Sequence, residues 1–264
     1  MDKIKIIIRK EWAEVFKNKM VIFTVAFLPL IMTAIPLIIL YSTRETGMGD
    51  ALSSDVGQMV SGGLCLEDLN NSECFHVYLV SQFMMLFMLI PLAIPITIAA
   101  YSIVGEKNAR SLEPLLATPI TTFELLVGKS LAAVIPAVLA TYGSFVIFIL
   151  GTWLSISSKA VLLAFLDLRW LIAIFIVGPL MAVLAVNLSL MVSSRVNDPR
   201  AAEQISMILI VPVLGLFFGQ MAGLFILNRQ IITIIGLLLI AIDAFVIYLT
   251  VQVFDREAIL TRWR

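Results

Sequence analysis

Apolar residues along this chain fall into six long blocks, at about 20–42, 77–104, 130–154, 170–192, 205–227 and 231–253, separated by shorter polar stretches. A bilayer core about 30 Å thick is crossed by roughly 20 apolar residues in a helix, and backbone in hydrocarbon must satisfy its own hydrogen bonds. Each block therefore predicts one membrane-spanning helix. Residues 1–19 follow a different pattern: Ile4, Ile8, Trp12 and Val15 recur at helical spacing among Lys3, Lys5, Arg9, Lys10, Lys17 and Lys19. That is the signature of an amphipathic helix lying in the interface. The block from Met20 to Tyr41 is too long for the h-region of a cleaved signal peptide, which spans about 7–15 residues. The expected architecture is an all-α integral membrane protein. Residues 1–19 form the amphipathic helix, and 20–264 form a single domain of six transmembrane helices with an outer loop at 43–76, an inner loop at 105–129 and a tail at 254–264.

Only Asn228, Arg229 and Gln230 separate the last two blocks. Either these spans form a tight hairpin, or the fifth bends back near Pro212 and Gly215 before leaving the bilayer. Pro29 and Pro36 in the first span, and Pro91 and Pro95 in the second, remove backbone donors and predict bends.

Composition confirms the solvent. Of 264 residues 61% are hydrophobic and 14% charged, and a mean hydropathy of +1.04 exceeds what a water-exposed surface tolerates. Eighteen basic and eighteen acidic residues give zero net charge, which argues against a nucleic-acid partner. The basic residues are unevenly placed. Fourteen of the eighteen lie at the amino terminus, in 105–129, in 193–204 and in the tail. Lys and Arg near helix ends are retained on the cytoplasmic side, so both termini and these two loops are expected in the cytoplasm of a multi-pass plasma-membrane protein.

The loop at 43–76 has one basic residue, Arg44, against six acids, and it holds both cysteines, Cys65 and Cys74. On an oxidising face these two can form a disulfide, the alternative being two free thiols. The single histidine, His76, offers no metal partner. Asn70, Asn71 and Ser72 spell a glycosylation sequon.

Catalytic signatures are missing. One histidine excludes an H-E-x-x-H metal site, and no G-x-S-x-G elbow occurs. Gly128, Lys129 and Ser130 mimic the end of a phosphate-binding loop, but Phe123 stands where its first glycine belongs and no strand precedes it. No catalytic residue, metal ligand or cofactor is therefore expected on this chain.

The inner loop reads GEKNARSLEPLLATPITTFELLVGK from Gly105 to Lys129. Leu112, Leu115 and Leu116 form a short apolar face bounded by Pro114 and Pro119, and Phe123, Leu125 and Leu126 form another beside Glu124. Leucines exposed on a charged loop usually dock onto the membrane surface or a partner. GEK followed by SLEPLLATPIT and ELLVGK resembles the signature of type-2 ATP-binding-cassette (ABC) permeases, the membrane half of many exporters. SSRVNDPRAAEQIS at 193–206 and FDREAILTRW at 254–263 are similar to that family's entry into its fifth span and to its carboxyl end.

The resemblance implies a permease subunit of an ATP-driven exporter, paired with a second or related permease and seated on separate ABC ATPase subunits that bind ATP and Mg. It implies a cytoplasmic coupling helix within Arg110–Thr118, with Gly105, Glu106 and Lys107 at the elbow and Arg110, Leu112, Glu113, Leu115 and Leu116 facing the ATPase. The amino-terminal helix would match the family's connecting helix. The family also carries short re-entrant helices between its last two spans, for which this chain has little room. An ATP-independent transporter or channel is the competing reading. It calls for an internal repeat and several mid-membrane polar residues, whereas Asp243 alone stands near the middle of the last block. Asp243 is either a substrate or ion contact or a hydrogen-bonded packing residue. Gly215, Gly219 and Gly223 recur every four residues and are expected to pack one helix face closely against a neighbour.

Overall fold

The computed structural model describes residues 2–45, 71–108, 121–156, 158–224 and 227–253. Its elements in chain order are α1 (Asp2–Val15), α2 (Lys19–Glu45), α3 (Asn71–Phe87), α4 (Ile90–Asn108), α5 (Thr122–Ser155), α6 (Lys159–Phe165) and α7 (Leu168–Ile172). A π turn at Ala173–Val177 leads into α8 (Gly178–Arg195), followed by α9 (Pro199–Ser206), a 3-10 turn at Met207–Leu209, α10 (Ile210–Met221) and α11 (Arg229–Val253). The described residues form helices and no strand, and six stretches are long and apolar enough to cross a membrane: Val21–Thr43, Ser72–Glu106, Thr122–Ser155, Val161–Arg195, Pro199–Met221 and Arg229–Val253.

The second span is the hub. Its most apolar window is 83% buried, against 11% for the first and fifth spans. Ile90, Leu92, Ile94 and Ile96 are fully enclosed, because α4 packs on α5, α8 and α2 at once. The outlying spans present their Ile, Leu and Phe side chains outward, as lipid solvent allows.

Several boundaries differ from the hydropathy blocks for identifiable reasons. The second span is two helices that part at Met88 and Leu89, where bonds from Met88 N to Met85 O (3.1 Å) and Leu89 N to Leu86 O (3.0 Å) tighten the chain. Pro91 has no N–H to continue the ladder, and its ring would clash with the carbonyl four residues back. In contrast α2 runs through Pro29 and Pro36, and α4 through Pro95, without a break in assignment. The fourth span opens with α6 and α7, and its π turn sits just before Pro179, where the widened turn accommodates a missing donor. The stretch expected as an outer connection is thus partly helical: Phe165 packs edge-on to Phe148 at 5.1 Å, and Phe148 stacks on Phe87 at 5.0 Å.

The third span starts at Thr122, well before its apolar block, because polar residues begin the helix. Thr121 Oγ1 accepts from Glu124 N (3.2 Å) and Thr121 N donates to Glu124 Oε2 (2.9 Å), a reciprocal cap. The fifth span likewise starts early: Asp198 caps it by accepting from Arg200 N (3.0 Å), and Pro199 occupies the first turn.

The last two spans form the hairpin. α10 ends in a Schellman motif, with Leu224 N bonded to Gly219 O (3.0 Å), Gly223 N to Gln220 O (3.0 Å) and Gly223 at φ 71°. The glycine series is therefore no single packing stripe within the chain. Gly219 is buried, Gly223 terminates the helix, and a Cβ added at Gly215 would meet nothing within 4 Å. Among the described residues between Met221 and Arg229 there is a turn and no re-entrant helix.

Candidate functional site

α1 lies across the end of the bundle where α4 finishes and α5 begins. Its buried positions are Ile7, Glu11 and Val15, while Ile4, Ile8 and Trp12 are half-buried. The apolar face read from the sequence is thus rotated so that a glutamate lies at its centre. Close approach to α5 is permitted by Gly128, where a Cβ would come within 2.7 Å of Ile7 Cγ2. Trp12 Nε1 donates to Ala132 O at 2.8 Å, fixing α1 along the helix. At the far end of the contact Lys3 lies 3.6 Å from Glu124.

Under α1 is a closed set of charges. Lys129, 4% exposed, places Nζ 2.6 Å from Glu11 Oε1 and 2.8 Å from Glu106 Oε2. It also donates to Ser102 Oγ at 2.8 Å, so the ammonium has two hydrogen bonds and one further ion-pair contact. Ser102 in turn donates to Glu11 Oε2 at 2.6 Å. Lys10 Nζ lies 2.6 Å from Glu106 Oε1, with Glu14 further off at 3.8 Å. Both oxygens of each buried glutamate are engaged, and the two lysines balance the two glutamates.

Burial alone would lower the pKa of Lys10, but its hydrogen bond to Glu106 and the charges of Glu106, Glu14 and Glu11 outweigh that and hold it above the usual lysine value. Ions taken out of water are tolerated when paired and hydrogen-bonded, and an unpaired remainder is costly. The set therefore acts as a unit, tying α1, α4 and α5 together at the two stems of the intervening segment. No nucleophile is free in it, and among the described residues no three His, Cys, Asp or Glu converge on a metal-sized site.

Of the residues expected to contact a partner, Glu106 is 2% exposed and fully engaged inward, so it holds α1 and α5 rather than facing outward. Gly105 is exposed, with nothing within 4 Å of an added Cβ. Lys107 ends α4 on its last turn. Arg110, Leu112, Glu113, Leu115 and Leu116 lie outside the described residues. Leu125 and Leu126, read as part of an exposed loop face, are buried in the first turns of α5, and only Phe123 of that group is open. Gly128 and Lys129, the pair that mimicked a phosphate loop, serve helix packing and the ion set.

Asp243 is 5% exposed on the α11 face that packs against α8, and neither of its oxygens has a hydrogen-bond partner among the described residues. Cys74 in α3 is disulfide-bonded, while Cys65 lies outside the described residues. At that same end Thr43 meets His76 at 3.2 Å, and Ser158 donates to Glu73 at 2.7 Å.

The missed residues are Glu11, Ser102 and the role of Lys129. A signal existed for Glu11: it stands four residues from both Ile7 and Val15, on one face with them, where a solvated charge does not belong.

Residues 5–255 match a protein family described as ABC-2 family transporter protein. Comparison with curated proteins finds no match. Six spans around a buried hub, together with a family match over nearly the whole length, place this chain in the ABC-2 transporter permease family.

Proposed function

We propose that this chain is the permease subunit of an ATP-driven exporter and that it receives force from a separate ABC ATPase through the segment between α4 and α5. The observation that carries this reading is the buried charge set, which clamps Glu106 and Lys129, the two stems of that segment, to α1. A push on the segment then moves three helices together instead of bending one loop. Packed, fully bonded elements shift between discrete arrangements, and the ATPase can drive the shift only through different affinities for the two. ATP and Mg act on the partner, and this chain supplies the lever and the pathway.

The excess of Lys and Arg at this end supports placing it, with both termini, in the cytoplasm. A second permease copy or a related permease completes the pathway. A self-sufficient transporter is disfavoured by the scarcity of mid-membrane charge, with Asp243 the lone carboxylate deep within the last span.

The test is co-expression with the ATPase encoded nearest to it and measurement of ATPase association and stimulation. Leu115→Asp is expected to leave the permease inserted but to weaken association, whereas Glu106→Ala is expected to retain association and lose stimulation. Wild-type stimulation in both variants, or full cargo transport by the purified chain without nucleotide, refutes the reading.

A further inference from the structure

The basic residues on and just after α1 divide into two sets. Lys3 is paired with Glu124 and Lys10 with Glu106. Lys5, Arg9, Lys17 and Lys19 are exposed, and among the described residues none of them has an acidic side chain within 4 Å. The two glutamates of α1 are taken by other lysines, Glu11 by Lys129 at 2.6 Å and Glu14 by Lys10 at 3.8 Å. Four uncompensated cations therefore stand on an interfacial helix and the turn that follows it. Lys17 and Lys19 flank that turn, which is closed by bonds from Lys17 N to Glu14 O (3.2 Å) and Asn18 N to Val15 O (3.0 Å). Both stand where the chain leaves the interface and enters the first span.

A shallow groove of about 370 Å³ begins at Lys19 and runs along α2 past Ile22, Phe23 and Phe27 to Leu30. These positions recur every three or four residues and so share one helix face. Lys19 is the one polar residue on its wall. Phe23 and Phe27 stack at 4.4 Å, and Phe23 is 59% and Leu30 58% exposed, so the described part of the chain leaves the groove open. At 1.5 Å per residue it climbs about 17 Å, close to half of a hydrocarbon core roughly 30 Å thick. The groove thus has the length of one leaflet's acyl layer, with positive charge at its headgroup end.

We infer that the corner between α1 and α2 binds an anionic phospholipid of the leaflet on which α1 lies, one acyl chain along Phe23, Phe27 and Leu30 and the headgroup phosphate at Lys17 and Lys19. Arg9 and Lys5, further back along α1, extend the positive field that concentrates such lipids. A zwitterionic phospholipid fits the same groove but brings its own cation, so it gains little from these four. A second copy docked face to face here would set the lysines against their own images. Binding requires neither ATPase nor nucleotide, so this inference stands or falls apart from the coupling reading.

The full chain is reconstituted without ATPase in phosphatidylcholine nanodiscs that contain a trace of phosphatidylglycerol or phosphatidylcholine carrying a diazirine in one acyl chain. After irradiation the adducts are mapped by mass spectrometry. Phosphatidylglycerol is expected to label Ile22 to Leu30 in excess over phosphatidylcholine, and the excess should shrink as salt screens the charges. Lys19→Gln is expected to lower the excess about fivefold and Lys17→Gln with Lys19→Gln about twenty-five-fold, the effect of one and of two cations near a charged surface. Both positions are exposed, so the melting temperature in detergent should stay at the wild-type value. Equal labelling by the two probes, an excess that survives the double substitution, or disulfide crosslinking of Phe23→Cys between two copies in place of lipid adducts overturns the inference.

Discussion

Lys129 on α5 and Glu106 on α4 form a buried ion pair of 2.8 Å across the stems of the segment that joins their helices. Each is also held by α1, Lys129 through Glu11 and Glu106 through Lys10. An amino-terminal helix thereby becomes part of the same mechanical unit as the second and third spans.

Lys129→Met removes the cation that both buried carboxylates share. Breaking such a set costs about 3–5 kcal/mol, whereas replacing all its buried members by apolar residues is close to neutral. Thermal unfolding in detergent is expected to show a large drop for Lys129→Met and a much smaller one when Glu11→Met and Glu106→Met are added. Equal, additive losses would show that the three side chains do not act together.

Gly128→Ala is expected to change sign with its neighbour. An added methyl in a helix interior is worth about 1 kcal/mol over glycine, but here it meets Ile7 at 2.7 Å. The substitution should destabilise the wild-type chain and stabilise an Ile7→Gly background, which also lacks the Cβ that would stand 2.9 Å away, as compared by melting temperature. The same sign in both backgrounds would mean that α1 does not rest on this glycine.

The contribution of Lys10 has a defined pH window. Its folded pKa is raised, so the stability it adds is complete below the unfolded lysine value, about 10.4, and is lost as pH climbs through the higher folded value. Melting temperature plotted against pH should fall more steeply above pH 10 in the wild type than in Lys10→Met, with parallel curves from pH 7 to 10. A difference developing near neutrality would point to another group.

Asp243→Asn is expected to leave stability unchanged or raised, because no partner among the described residues depends on its charge. A loss above about 1 kcal/mol in detergent melting would reveal a hydrogen bond to the carboxylate, the size such bonds usually have.

The six spans were legible because apolar length is a strong signal in a lipid solvent, and the hub was not, since buried and lipid-facing leucines look alike in sequence. Helix starts were missed where polar caps carry them, as with Thr121 and Glu124. The expectation that Gly215, Gly219 and Gly223 share a packing role failed at Gly223, whose φ of 71° marks a terminus. The charge set stayed hidden because Lys129 reads as one more inner-loop cation, and Glu11, though four residues from both Ile7 and Val15, has no visible partner in the local sequence. Their pairing depends on how α1 lies, which no local pattern states.

The neutrality of that set has an electrical consequence. Displacing one elementary charge through a 100 mV potential involves about 2.3 kcal/mol, but Lys10, Lys129, Glu11 and Glu106 travel as two opposite pairs. Tilting or sliding these four side chains together against the bilayer field moves no net charge. These four paired side chains therefore add nothing to any voltage dependence of this protein.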